Sequence, residues 1–255
     1  MKRKLVAAIA CRNQGSRLYG KPVQNLDVEH GIRIIDNIID CLRTIECIDE
    51  IVLGISEGIE NEVFKKIAED KGLNYIVGDQ IDVLERLIKC GRLAHATDIY
   101  RVTSESPFPY FEPVESVWQR HKSEQADATF LDDVIDGCGF ELISLGALET
   151  SHRKGSKKHR SELCTLYIRE HLEDFKVHKA EPPHELIRRD LRLTVDNPED
   201  LAVCRIVYNT FKAQAPRIPI GEIVKFLDTN PKLIEMIAPF TEDGYSSMYR
   251  WGSED

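Results

Sequence analysis

The stretch LVAAIACRNQGSRLYGKP, residues 5 to 22, decides the fold. Its first part, Leu5 to Cys11, is an unbroken apolar run that Arg12 ends. A run of that length is far too short to span a bilayer and matches a central parallel strand, buried on both faces. A polar loop comes next, from Arg12 to about Gln24. In an open α/β sheet, ligands bind beyond the carboxyl ends of the strands. Three cations there, Arg12, Arg17 and Lys21, can neutralise a triphosphate. Gly15 and Gly20 let backbone amides approach phosphate oxygens. The loop matches neither GxxxxGK[ST] nor GxGxxG. Read alone, it is equally a solvated basic turn.

Working outward, strands and helices alternate. Glu50 to Ile55, Leu73 to Val77 and Asp98 to Thr103 read as strands. Between them, Ile35, Ile38, Ile39 and Leu42 recur at helical spacing, as do Val63, Phe64 and Ile67 in a helix over 60–70. Asp82 to Arg92 is a third helix, with Asp82 as N-cap and Glu85 as its capping-box partner. Further on, a helix covers 114–121, and strands cover 128–131, 140–144, 176–180 and 191–195. Helical character returns over 162–170. Asn197-Pro198-Glu199-Asp200 is a helix start, with Asn as N-cap and Pro in the first turn. The alternation predicts a mostly parallel sheet with helices on both faces.

The chain has 255 residues, which fits one globular unit over 1–255, with 212–255 as a C-terminal helical extension. Its net charge of -9 argues against nucleic-acid binding, which wants a basic surface, but not against a small anionic substrate. Seven cysteines, none with CxxC spacing, point to reduced thiols and no zinc framework. The short apolar run after MKRK is not a signal peptide. A cytoplasmic protein without membrane or nucleic-acid partners is the expectation.

Two acids lie just past predicted strands: Glu105 in Thr103-Ser104-Glu105-Ser106-Pro107, and Asp196 in Leu193-Thr194-Val195-Asp196-Asn197-Pro198. Together with substrate phosphates they offer the hard oxygen ligands that Mg²⁺ takes. Taken singly, Asp196 is also a helix-capping carboxylate and Glu105 a solvated loop acid. None of the eight histidines has metal-ligand spacing. The basic run HRKGSKKHR, residues 152–160, is either a mobile surface loop or a cover for an anionic acceptor.

In this order, the motifs resemble those of the sugar cytidylyltransferases that make CMP-3-deoxy-manno-octulosonate. Their N-terminal pattern runs A-R-x-x-S-T-R-L-P-G-K-P. Here Arg12, Arg17, Leu18, Gly20, Lys21 and Pro22 keep its spacing. The chain is still more similar to the spore-coat polysaccharide branch. Asp82 to Arg86 matches its DVLxR segment, Arg101 to Pro107 its R-[IV]-T-G-D-x-P segment, and Glu162 to Ile168 its E-[HL]-x-T-x-Y-I segment. Leu193 to Leu201 matches L-T-V-D-x-P-E-D-L.

The resemblance implies a glycosyltransferase-A-like, Rossmann-type α/β/α nucleotidyltransferase fold with a mixed, mostly parallel sheet. It implies transfer of a nucleoside monophosphate, from CTP, to a sugar, sugar acid or other small acceptor, with release of pyrophosphate. GTP or another NTP acting on a sugar 1-phosphate, and a nucleotide-binding member without activity, are the alternatives. Arg12, Arg17 and Lys21 would act on the phosphates. Ala10, Asn13, Gly15, Ser16, Asp82, Arg86 and Thr103 would complete the nucleotide site. Glu141, Glu162, Thr165 and Tyr167 are candidates for the acceptor, and Glu105 and Asp196 for Mg²⁺. Related enzymes are often homodimers. The chain departs from the pattern at Tyr19, Ser104, Glu105, Gly139 and Leu163, where the family has Pro, Gly, Asp, Asp and His. The metal and nucleotide side is largely kept, with Arg12, Arg17, Lys21 and Asp196 in place, while the acceptor side is altered at Gly139 and Leu163.

Overall fold

The computed structural model describes residues 3–15 and 17–242. The opening apolar run is β1 (Leu5–Cys11). A small antiparallel hairpin, β2 (Asn25–Asp27) and β3 (Ile32–Arg33), leads into α1 (Ile34–Leu42). Next come β4 (Glu50–Ser56), α2 (Glu62–Lys71), β5 (Asn74–Gly78), α3 (Val83–Leu93) and β6 (Asp98–Thr103). The second half holds α4 (Val114–Ser123), β7 (Ala128–Leu131), β8 (Phe140–Ser144), α5 (Leu145–Lys154), α6 (Leu166–Glu170) and β9 (Val177–Lys179). Three helices close the described chain: α7 (Pro198–Phe211), α8 (Ile220–Asp228) and α9 (Pro231–Ile237).

Seven strands form one sheet in the order β5-β4-β1-β6-β8-β7-β9. All pairings are parallel except those of β8, which runs antiparallel to both β6 and β7. The strand period of two assigns β1 to two cores at once. Leu5, Ala7, Ile9 and Cys11 pack toward α1, α2, α4 and α7, with Ile38, Phe64, Trp118 and Val203. Val6 and Ala8 face the other layer, with Leu84 and Leu87 of α3, Leu148 of α5 and Ile168 of α6. The result is a three-layer α/β/α fold with a mixed, mostly parallel sheet, as the sequence predicts.

Both capping predictions have their hydrogen bonds. The Asp82 carboxylate accepts from the Glu85 amide at 2.8 Å, and Asp200 accepts from the Asn197 amide at 2.8 Å. Ile220, Ile223, Leu227 and Ile237 of the C-terminal helices pack into the larger core. Residues 243–255 of the predicted extension lie outside the described residues. No helix among the described residues is long and apolar enough to cross a membrane.

One predicted strand does not form. Leu191 to Val195 is extended, with Leu191, Leu193 and Val195 buried, but it joins no ladder. It threads between two loops instead. Leu193 donates to the Asp136 carbonyl at 2.7 Å and Val195 to the Glu105 carbonyl at 3.0 Å, with a single bridge at Asp136–Arg192. Its apolar alternation reports burial by loops. The helix expected over 162–170 starts only at Leu166, because Arg101 takes the Glu162 carbonyl at 2.9 Å.

Candidate active site

The adjacent central strands β1 and β6 both end at one cavity of about 480 Å³. Ala10 and Arg12 come from the end of β1 and its loop. Arg101, Thr103 and Glu105 come from β6 and the loop after it. Val83 and Arg86 come from α3, and Asp196 lies just before α7. Asp132, Asp136 to Glu141, Thr165 and Arg169 line the other end.

The β1 loop and Asp196 meet, although more than 170 positions separate them. Lys21 Nζ donates to Asp196 Oδ1 at 2.5 Å, and Arg17 stands 3.4 Å from the same oxygen. Arg192 holds Oδ2. Burial works to raise the Asp196 pKa, but Lys21, Arg192 and Arg17 outweigh it and bring it below the ordinary value. Arg192 is itself buried and also bonds Asp136 at 3.1 Å, Asp200 at 3.0 Å and the Phe240 carbonyl at 3.0 Å. A buried fork with that many partners fixes where Asp196 points.

Glu105 lines the cavity beside this cluster, and no ion pair holds its carboxylate among the described residues. Among the described residues its carboxylate accepts a hydrogen bond only from Ser104 Oγ, at 3.4 Å. Burial lifts its pKa, Lys21 opposes this, and the charge on Asp196 adds to it. Arg12 pairs with Glu162 across the cavity mouth. Arg86 is 1% exposed; burial depresses its pKa, and no carboxylate pairs with it among the described residues.

The opposite end holds a buried charge network. Glu141 accepts from Arg101 at 3.0 Å, Arg169 at 2.7 Å and Thr165 at 2.7 Å. Arg169 also forks onto Asp132 at 2.5 and 3.1 Å. Burial would raise the Glu141 pKa, but Arg101 and Arg169 together pull it down to about 2. Asp136 goes the other way, to about 6, because burial outweighs Arg192 and both Asp196 and Asp200 repel its charge.

The cavity therefore gathers Ala10, Arg12, Arg17, Arg86, Thr103, Glu105, Glu141, Glu162, Thr165 and Asp196, with Lys21 reaching Asp196. Five expected residues do not line it: Lys21 and Gly15 of the β1 loop, and Asp82, Asn13 and Tyr167. Asp82 caps α3 and bonds His152 at 2.8 Å. Asn13 is buried against the 60–61 turn: its backbone N–H donates to Asn61 Oδ1 at 2.8 Å and its Nδ2 to the Glu60 carbonyl at 2.5 Å, while its Oδ1 has no partner among the described residues. Tyr167 stacks on His171, with ring centroids 4.1 Å apart, and meets Phe175 edge-on, so its ring packs against the segment that follows α6. Gly15 shapes the loop: a Cβ there would sit 2.4 Å from the Leu18 carbonyl oxygen. Ser16 lies outside the described residues. Sequence reasoning missed Arg101, Asp132, Asp136, Arg169 and Arg192. The one available signal was a charge inside an apolar run, as at Arg101 in DIYRVT and Arg192 in LRL.

Comparison with solved structures gives this arrangement its relatives. A cytidylyltransferase from Leptospira borgpetersenii superposes with a TM-score of 0.80 over 92% of this chain and 97% of its own, at 19% identity. The chain carries the cytidylyltransferase-like nucleotidyltransferase fold. CMP:2-keto-3-deoxy-manno-octonic acid synthetase, solved with CTP, shares that fold at a TM-score of 0.60. It covers 81% of this chain and 99% of its own, at 14% identity. By sequence, the spore coat polysaccharide biosynthesis protein SpsF of Bacillus subtilis is 24% identical over 228 residues, covering 88% of this chain and 93% of SpsF. An uncharacterized protein of Methanocaldococcus jannaschii is 26% identical over 231 residues, covering 90% and 93%. No family model matches the chain.

Proposed function

We propose that this nucleotidyltransferase-like chain moves the nucleoside monophosphate of CTP onto a small acceptor and releases pyrophosphate. The observation that carries the reading is the meeting of Lys21, Arg17 and Asp196, with Glu105 beside them, in one cleft at the ends of β1 and β6. Phosphate oxygens compete with Asp196 Oδ1 for Lys21 and Arg17, while Arg192 keeps its hold on Oδ2. Arg12 similarly exchanges Glu162 for phosphate. Arginine grips phosphate with a planar fork and lysine as a point charge.

The acceptor oxygen attacks the α-phosphorus in line, the bond to the bridging oxygen breaks, pyrophosphate leaves and the acceptor proton passes to water. Catalysis is then positioning and charge stabilisation. Glu105 and the freed oxygen of Asp196 fit Mg²⁺: both are hard oxygen donors, and Glu105 has no cationic partner of its own among the described residues. Bound there, the ion supplies positive charge against the phosphates and acidifies the acceptor hydroxyl. SpsF acts in spore coat polysaccharide biosynthesis, and by that likeness the acceptor is a sugar or sugar acid for a surface polysaccharide.

Pyrophosphate release tests the reading, with CTP, UTP, GTP and ATP, with and without Mg²⁺, over a panel of sugars, sugar acids and sugar 1-phosphates. Release that depends on CTP and Mg²⁺ is expected. Turnover with GTP alone overturns the base, and nucleotide binding without turnover on any acceptor overturns the transfer.

A further inference from the structure

We propose that the acceptor carries no acidic group: the end of the cleft around Arg101, Glu141 and Arg169 takes a neutral sugar or polyol through its hydroxyls and rejects a sugar acid or a sugar phosphate. This narrows the acceptor of the function proposed above and rests on that reading.

The observation behind it is that the arginines at this end are fully committed. Arg101 gives Nη1 to Glu141 at 3.0 Å and Nη2 to the Glu162 carbonyl at 2.9 Å. Arg169 gives Nη1 and Nη2 to Asp132, Nη2 also to Glu141, and Nε to Thr165 at 3.2 Å. Arg192 is divided among Asp136, Asp196, Asp200 and the Phe240 carbonyl. Two cations, Arg101 and Arg169, thus face two acids, Asp132 and Glu141, and Arg192 alone faces three. A carboxylate or phosphate on the acceptor meets no excess of positive charge here and adds to the negative charge already present.

Burial decides which of these pairs can change partners. The side chains of Arg12 and Arg17, at the other end, are 42% and 53% exposed. Ion pairs that water reaches are weak and open easily. Those two arginines can therefore release Glu162 and Asp196 in favour of a phosphate. The side chains of Arg101, Arg169 and Arg192 are 15%, 3% and 2% exposed. Taking one of them for a new anion strands Glu141, Asp132 or Asp136 as a buried charge without its partner, and that penalty exceeds what the new contact returns.

The basic run over 152–160 does not make up the difference. None of its residues lines the cavity. Lys154 pairs with Asp174 at 2.9 Å, Lys158 with Glu170 at 2.7 Å, and Arg160 donates to the His152 carbonyl at 3.0 Å.

Hydroxyls, by contrast, find both kinds of partner. An ionised carboxylate has about four acceptor sites, and Asp132, which lines the cavity, gives two of them to Arg169. A hydroxyl donating to such an oxygen makes a charge-assisted bond and brings no charge of its own. Thr103, Ser106 and Thr194 line the same cavity as a chain. Thr103 Oγ1 donates to Ser106 Oγ at 3.0 Å, and Ser106 Oγ donates to Thr194 Oγ1 at 3.1 Å. The Thr194 hydroxyl at the end of the chain keeps its own hydrogen to donate to a sugar oxygen.

Titration calorimetry on the full chain tests this, with CTP present and Mg²⁺ left out so that binding is read without turnover. The probes are matched sets: glucose, galactose and mannose, with the alditol, the uronic acid and the 1-phosphate of each. At least one neutral member binds, and its uronic acid and 1-phosphate bind at least about tenfold more weakly. Asp132→Asn leaves Arg101 and Arg169 facing Glu141 alone, and in that variant the uronic acid gains at least about tenfold on its neutral counterpart. Wild type that binds the acid or the phosphate as tightly as the neutral sugar overturns the proposal, and so does wild type that binds no neutral member. An unchanged ratio in the variant overturns it as well. If the variant fails to fold, the wild-type ratios decide alone. Pyrophosphate release with Mg²⁺ on the same probes keeps the two readings apart. Turnover of a sugar acid or sugar phosphate in preference to its neutral counterpart overturns this inference and leaves the transfer standing. Neutral-selective binding with no pyrophosphate release from any probe overturns the transfer and leaves the selectivity standing.

Discussion

Glu141→Gln separates a structural carboxylate from an acceptor ligand. In the native state Glu141 is bonded by Arg101, Arg169 and Thr165 and is 6% exposed. Its pKa falls from the ordinary 4.5 to about 2. At ~1.36 kcal/mol per pH unit, this corresponds to about 3 kcal/mol of folding stability at neutral pH. Breaking a buried ion pair from one side costs roughly 3–5 kcal/mol, which agrees. The contribution is complete above pH 4.5 and is lost as the pH falls toward 2, because a depressed carboxylate must be protonated in the acid-unfolded chain.

Urea unfolding of wild type and variant at pH 7 is therefore expected to differ by about 3 kcal/mol, with a melting point lower by on the order of 10 °C. The gap should hold between about pH 7 and 5 and narrow below the ordinary carboxylate pKa. A variant within about 1 kcal/mol of wild type that instead raises the KM for acceptor would refute the structural assignment. It would return Glu141 to the role its sequence position suggested.

Asp196→Asn should lower pyrophosphate release by about 10³-fold. The same variant should bind inorganic triphosphate in the absence of metal at least as tightly as wild type, since Lys21 and Arg17 lose their competing carboxylate; weaker binding would contradict the exchange of partners. Gly15→Ala pushes a methyl group to 2.4 Å from the Leu18 carbonyl oxygen. It should weaken nucleotide binding severalfold in calorimetry with less than about 1 kcal/mol lost in urea unfolding, because the loop it distorts is peripheral to the core. Unchanged nucleotide affinity would show that the loop shape is unimportant.

Much of the fold was legible because its signals are local. Leu5–Cys11, Asp98–Thr103, Ala128–Leu131 and Phe140–Ser144 are strands at the boundaries their apolar runs suggest. Asp82 and Asn197 cap helices as their side chains dictate. Leu191–Val195 misled because a run buried between loops has the same alternation as one buried in a sheet. At the site, the cationic loop and Glu105 could be placed by the rule that strand ends carry function; Asp196 was placed by the same rule from a strand that does not form, and it reaches the cleft at the end of a segment buried between loops. The Arg101–Glu141–Arg169–Asp132 network could not be placed in this way. Its members come from three strands or strand ends and a helix, and only the antiparallel placement of β8 beside β6 sets Glu141 opposite Arg101. Tyr167 shows the converse. It lies in a matching motif, yet a single helical turn carries its ring to the far side of α6 from Thr165 and Arg169.

The two ends of the cleft are drawn from different parts of the chain. One end comes from β1, α3 and β6. The other comes from the 132–141 segment and the start of α6. Arg101 paired with Glu141, and the Arg192 fork that holds Asp136 and Asp196 at once, tie the two together, so a charge lost at one end is felt at the other.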